Sequence, residues 1–310
     1  MVIKPNFVII GSVKAGTTSL VRYLREHPDI CFCNAELQLF APEFANHRRM
    51  MGVTEQMSRA SIEKYFSGFD GQDYKIYGEK SALYLLSDHG VENIMKHNPD
   101  AKIVAMIRNP VDVVESFHAQ LLFDTNENIT DFSKAWALQD QRAEGTHIPP
   151  GCLEPALLQL KRVGALGTHL ERMMAIVPQG QYHIILFDDF IKDTQKVYQD
   201  VLTFLDLPQD GKSEFPRFNP RKFNKSYWIA RFTQHRPHWL KRLQFYLGYY
   251  LRRLSLPTVD LVSLLAKMNQ SNKKRAPLST EVRQQLIEAL KPEIDKIARI
   301  TNRNLDHWMK

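Results

Sequence analysis

The chain alternates short unbroken apolar runs with stretches in which apolar residues return every three or four positions. Phe7-Val-Ile-Ile10, Ile30-Cys-Phe32, Lys102-Ile-Val-Ala-Met-Ile107 and Tyr182–Phe187 are runs of the first kind, and Ile76–Ser81 is a run that ends in a polar turn. They predict strands buried on both faces. Helical spacing is read from Thr17 to about His27, closed by Pro28, and over Val111–Leu122, with Pro110 at the first turn. The same spacing covers Leu153–Val177, tolerating Gly164 and Gly167, then Val197–Leu205, and Ser279 to about Ile300 with Ser279 as N-cap. Strands separated by helices predict an α/β fold, a doubly wound parallel sheet flanked by helices. Residues 41–72 are polar and weakly patterned, which reads as a loop with one helix near Ile62–Phe66.

The 310 residues suit one domain, residues 1–310, with a core over about 1–210 and a helical, basic C-terminal elaboration over about 216–310. There is no internal repeat. The second part opens on an unusual composition. Between Trp228 and Leu254, Phe232, Trp239, Phe245, Tyr246, Tyr249 and Tyr250 are interleaved with Arg231, Arg236, Lys241, Arg242, Arg252 and Arg253. Such a stretch can be a core-packing helix whose cations reach water, cover an acceptor site, pack between subunits, or touch a membrane peripherally. A formal charge of +7 favours anionic partners. Cys31, Cys33 and Cys152 cannot all pair and lack a zinc-ligand spacing, so reduced thiols and no metal site are expected. With no signal peptide and no long apolar span, the expected location is cytoplasmic.

The chemistry centres on Gly11-Ser-Val-Lys-Ala-Gly-Thr-Thr-Ser-Leu20, between the first strand and the first helix. Backbone N–H groups at such a turn, together with the positive end of the helix, cradle a phosphate-like anion. Gly11 and Gly16 keep the spacing of a nucleotide-binding P-loop, G-x-x-x-x-G-K-[ST], but Thr17 stands where that loop has lysine, and Lys14 lies inside the turn. The fold expected is therefore P-loop-like. Arg108-Asn-Pro110 places a guanidinium where a strand gives way to a helix, which is where open α/β sheets bind ligands.

Lys14-Ala-Gly-Thr-Thr-Ser-Leu20 resembles the 5′-phosphosulfate loop of sulfotransferases that use 3′-phosphoadenosine 5′-phosphosulfate (PAPS), and Arg108 with Ser116 resembles their 3′-phosphate motif. Ala35-Glu-Leu-Gln-Leu-Phe40 is similar to the Lys-Glu-x-His-Phe-Phe segment of the heparan-sulfate and carbohydrate branch, which includes bacterial relatives. Gly78-Glu-Lys-Ser-Ala-Leu-Tyr84 is similar to the branch's Glu-Lys-Thr-Pro-x-Tyr segment. The resemblance implies a transferase that moves the sulfuryl group to a hydroxyl or amine, on a saccharide or glycolipid, and releases 3′-phosphoadenosine 5′-phosphate (PAP). It implies no metal and no nucleic-acid partner. Lys14, Ala15, Gly16, Thr17, Thr18 and Ser19 would hold the 5′-phosphate, Arg108 and Ser116 the 3′-phosphate, and Lys274 and Arg275 of Lys273-Lys-Arg275 would belong to a closing basic loop. Glu36 matches the family's catalytic base, and Lys80 a lysine beside the sulfuryl group. Ala35, Gln38 and Leu39 depart from the branch's lysine, histidine and phenylalanine, which leaves the acceptor open.

The residues have plainer readings as well. Lys14 can be a solvated loop lysine, Glu36 a surface acid, Lys80 the ion-pair partner of Glu79, and Arg108 that of Asp112. Lys273–Arg275 can be a solvated charge run. His118, His169 and His183 have no catalytic spacing. Two other functions are an NTPase or nucleotide kinase, which would want lysine at position 17, and a catalytically silent nucleotide- or glycan-binding module.

Overall fold

The computed structural model describes residues 4–32, 36, 38–44, 74–216, 223–234, 246, 253, 261–271 and 278–310. Its contacts group into two units. The first takes in Met1–Phe117, Gln159–Phe218 and Ser279–Lys310, and the second His118–Leu158 and Asn219–Leu278.

The first unit is built on five parallel strands, β1 (Phe7–Gly11), β2 (Ile30–Phe32), β3 (Ile76–Lys80), β4 (Lys102–Ile107) and β5 (Tyr182–Leu186), in the order β2-β3-β1-β4-β5. Every residue of β1 is buried, as expected of a central strand covered on both faces. Side chains alternate across the sheet. Phe7, Ile9, Val104 and Met106 pack with Leu20, Leu24, Val201 and Leu202, from helices Thr17–Leu24 and Thr194–Phe204. Helix Phe187–Lys192 adds Phe190 to the same cluster, and elsewhere in the unit Leu166–Ile176 packs against Thr280–Thr301. The Ser279 hydroxyl accepts the Val282 N–H at 3.4 Å, so the expected N-cap starts that last helix, and the helix belongs to the first unit.

The continuous helix expected over Leu153–Val177 is instead a 3-10 turn, Pro155–Leu158, and two helices, Leu160–Gly164 and Leu166–Ile176. Helix Thr280–Thr301 lies so close to the second of these that a Cβ on Gly167 would stand 2.7 Å from the Glu293 carbonyl oxygen. The glycines that helical spacing merely tolerates therefore serve packing.

The second unit contains short helices, among them Phe132–Ala137, Gln139–Ala143, Tyr227–Gln234 and Leu261–Asn269, and an antiparallel two-residue ladder that pairs Phe223-Asn224 with Gln270-Ser271. Its interior holds a bidentate ion pair. Arg142 donates to Glu127 at 2.7 and 2.9 Å with both side chains buried, and Glu127 Oε1 also accepts the N–H groups of Asn128 and Ile129. Removing one member strands a buried charge, so Arg142→Ala is expected to lower unfolding free energy in urea by about 3–5 kcal/mol. A loss under about 1 kcal/mol would mean that water reaches the carboxylate.

Among the described residues no helix is long and apolar enough to cross a membrane, and Cys31 and Cys152 are free thiols. Residues 45–73, which include the helix expected near Ile62–Phe66, lie outside the described residues.

Candidate active site

The C-terminal ends of β1, β3 and β4 meet in register, with Ile9 opposite Lys80 and Gly11 opposite Met106. The turn after β1 leaves the sheet tightly. Gly11 has φ +138°, and a Cβ there would come within 2.1 Å of the Met106 carbonyl oxygen. Lys14 (φ +63°) and Gly16 (φ +86°) then take left-handed conformations, and helix Thr17–Leu24 begins with no side chain capping it. Ser19 and Leu20 donate back to the Gly16 carbonyl, and the N–H groups of the turn before them are those a helix leaves for a ligand. The residues expected to hold a phosphate thus form a backbone cradle at a helix start. Lys14 is exposed beside it, whereas Thr17 is buried.

Lys80, at the end of β3, lies under this cradle. Its ammonium donates to the Thr18 hydroxyl at 3.0 Å and forms an ion pair with the Glu36 carboxylate. The two expected chemical groups, 44 positions apart in sequence, are therefore side by side. The Lys80 side chain is 11% exposed and that of Glu36 38%, so the carboxylate is the one open to an incoming molecule. Burial, and secondarily the charge of Arg25, pushes the Lys80 ammonium down to about 8.

The ion pair of Lys80 with Glu79 is not what the structure contains. Neighbouring residues of a strand point to opposite faces. Glu79 is fully buried and accepts the Tyr84 hydroxyl proton, and its Oε2 has no hydrogen-bond partner. Burial pushes its carboxyl up to about 7. The N–H groups of Leu39 and Phe40 approach the same Tyr84 hydroxyl.

Arg108 follows β4. Its guanidinium donates to the Lys14 carbonyl oxygen at 3.3 Å, meets Asp112 at 3.2 Å and lies 5.1 Å from the centre of the Phe187 ring. The expected pairing with Asp112 is present, and it leaves the guanidinium beside the turn. Asp112 also binds Arg283 at 3.3 Å, from helix Thr280–Thr301. Arg283 is absent from the sequence reading because nothing local marks it; only the return of the last helix to the sheet brings it here. Ser12 is a second such residue, its hydroxyl accepting the Arg108 N–H at 3.2 Å. Ser116 is half-buried on helix Pro110–Phe123, one turn beyond Asp112 and on the same face. Lys273, Lys274 and Arg275 lie outside the described residues. His118 and His169 bond the backbone carbonyls of Ile129 and Arg162, and the His183 ring lies against Phe204.

Arg108→Ala is expected to weaken PAP binding about 10- to 100-fold, the worth of a charge-assisted hydrogen bond of ~1.5–3 kcal/mol. Calorimetry that finds unchanged affinity and a lowered melting temperature would leave Arg108 only its bonds to Asp112 and the Lys14 carbonyl.

Over its whole length the chain has the fold of a sulfotransferase from Alicyclobacillus acidocaldarius, with a TM-score of 0.68 at 21% identity and all of both chains covered. It is 26% identical over 218 residues to heparan sulfate glucosamine 3-O-sulfotransferase 6 of Homo sapiens, covering 70% of this chain and 57% of that protein. It is 23% identical over 222 residues to the bifunctional heparan sulfate N-deacetylase/N-sulfotransferase 1 of Caenorhabditis briggsae, covering 70% of this chain and 24% of that protein. The chain spans about half the length, or less, of these curated relatives. The model of the sulfotransferase family matches residues 5–211, a stretch that holds the cradle, Glu36, Lys80 and Arg108. With two-thirds of its length matched in this way, the chain belongs to the sulfotransferase family.

Proposed function

We propose that the chain transfers a sulfuryl group from PAPS to a hydroxyl or amine of a saccharide or glycolipid, with Glu36 as general base. The observation that carries this reading is the double contact of Lys80, which holds the cradle through Thr18 and the carboxylate of Glu36 with one ammonium. A base on its own is common; a base fixed beside an anion cradle is set for group transfer.

The residues present fit a phosphosulfate. The left-handed turn at Lys14 and Gly16 and the uncapped helix start suit its 5′-phosphate. Arg108, two residues from Pro110 and bonded to the turn, suits a second phosphate on the same nucleotide. Bound PAPS supplies an electrophilic sulfur and a phosphate leaving group. Glu36 takes the proton of the acceptor as the acceptor oxygen or nitrogen bonds to sulfur. The bond from sulfur to the 5′-phosphate oxygen breaks, and its electron pair leaves with PAP. Lys14 and Lys80 stabilise the charge that grows on the bridging and transferred oxygens, more in the transition state than before it. The proposed mechanism calls on no metal ion, because its cations are side chains. Relatives named for O- and for N-sulfation support a saccharide acceptor and leave both linkages to be tested.

Labelled PAPS offered to heparan sulfate, to glycolipids and to simple phenols tests the acceptor class. Label is expected in saccharide or glycolipid, and label confined to the phenols would overturn that part of the reading. The charge of Lys80 has its own test. An ammonium held near pH 8 is charged below that value and neutral above it, so kcat/KM should fall as pH rises through about 8. Lys80→Arg, charged throughout, should remove that limb; a limb unchanged in the variant would assign it to another group.

A further inference from the structure

The second unit presents an apolar face made of residues other than those named above. Helix Tyr227–Gln234 turns its small residues Ala230 and Thr233 inward and its large ones outward, with Trp228 75% and Phe232 45% exposed. These two are four positions apart and so share a face. Helix Leu261–Asn269, packed against it, does the same: Asn269 is buried, while Leu264, Leu265 and Met268 are exposed. This reverses the pattern of a helix in a water-soluble unit, whose large apolar residues face the core.

The face is built, not frayed. The ladder joins the start of one helix to the end of the other, Asn269 exchanges hydrogen bonds with Ser226 at 2.9 Å in both directions, and the Lys225 ammonium donates to the Met268 carbonyl oxygen at 2.8 Å. Lys267 is exposed beside Met268, whereas the Arg231 guanidinium turns to the Pro150 carbonyl oxygen at 3.3 Å. The surrounding sequence is of one sign. Between Glu214 and Glu281 there are fourteen lysines and arginines and a single acid, Asp260.

We propose that this pair of helices docks on an anionic lipid surface, with Trp228, Phe232, Leu264, Leu265 and Met268 entering the headgroup and acyl boundary. Charge chooses the occupant. A second copy of the chain would bring the same excess of positive charge in this stretch, and a polyanionic saccharide would answer the charge but leave five apolar side chains in water. An anionic bilayer meets both requirements, since apolar insertion and the attraction of basic residues add. The proposal does not depend on the sulfuryl-transfer reading.

The test uses the full chain with vesicles of phosphatidylcholine alone and vesicles containing about one-third phosphatidylserine. The protein is expected to float with the second and not the first, and to release as salt is raised. Trp228→Ala with Phe232→Ala and Met268→Ala should reduce flotation at least ~10-fold while the far-ultraviolet spectrum and melting temperature stay those of the parent. Brominated acyl chains should quench the unmodified protein's tryptophan emission and quench Trp228→Phe much less, which reads insertion even if the triple variant misfolds. Capture by a heparin column with no flotation, or a dimer in light scattering that the triple variant dissolves, would overturn the proposal. Flotation unchanged by the substitutions and without bromine quenching would overturn it too, leaving adsorption by charge alone.

Discussion

Glu36→Gln should bind PAP as the parent does and lose about 10²–10⁴-fold in single-turnover transfer, the usual worth of a general base. The substitution keeps the shape of the side chain and its acceptor oxygen toward Lys80, so the cradle above Thr18 has no reason to move. Only the capacity to take a proton is removed. Rate and binding should therefore separate. The loss should shrink toward high pH for an acceptor that ionises by itself, because solution then does the work of the base. Near-parental turnover on the acceptor that the parent sulfates best would remove Glu36 from the mechanism and leave it a surface partner of Lys80.

Lys14→Ala carries the second large effect, about 10²–10³-fold in the same measurement, the scale at which a single transition-state charge stabiliser acts. Lys14 belongs to a turn whose carbonyl is fixed by Arg108 and whose backbone is left-handed, so its side chain starts from a set place beside the anion cradle. A cation there interacts more strongly with a leaving phosphate oxygen than with the intact phosphosulfate. PAP, which resembles the leaving group, should also bind less tightly to the variant. An unchanged transfer rate would make Lys14 a solvated lysine and move the whole burden of charge to Lys80.

Much of this framework is legible in the residues because it is local. The strand, glycine turn and helix of Phe7–Leu24 need only an apolar run, two glycines at a fixed spacing and a helical repeat, and β4 with Arg108 needs only another run and the proline after it. What escapes is what the sheet decides. Glu79 is next to Lys80 in sequence and reads as its ion-pair partner, yet strand alternation sends the two to opposite faces, one to Tyr84 and one to Glu36. That outcome was open to reasoning from the strand alone. The arrival of Arg283 at Asp112 was not, since it depends on a residue 171 positions away returning, on helix Thr280–Thr301, to the start of helix Pro110–Phe123. Gly164 and Gly167 mislead for the same reason. Inside one helix they look like a small cost in propensity, and only the neighbouring helix Thr280–Thr301 explains them. The acceptor side of the site is least legible, because the departures at Ala35, Gln38 and Leu39 change chemistry without any spacing rule to interpret them.

The central claim is that the turn after β1 holds a nucleotide with a 5′-phosphosulfate and a 3′-phosphate. Calorimetric titration of the unmodified chain with PAP, and separately with ATP and magnesium, tests it most directly. The account predicts saturable binding of PAP, weakened by Arg108→Ala and by Lys14→Ala, and much weaker binding of ATP. Tight binding or hydrolysis of ATP with magnesium, with no heat from PAP, would contradict it.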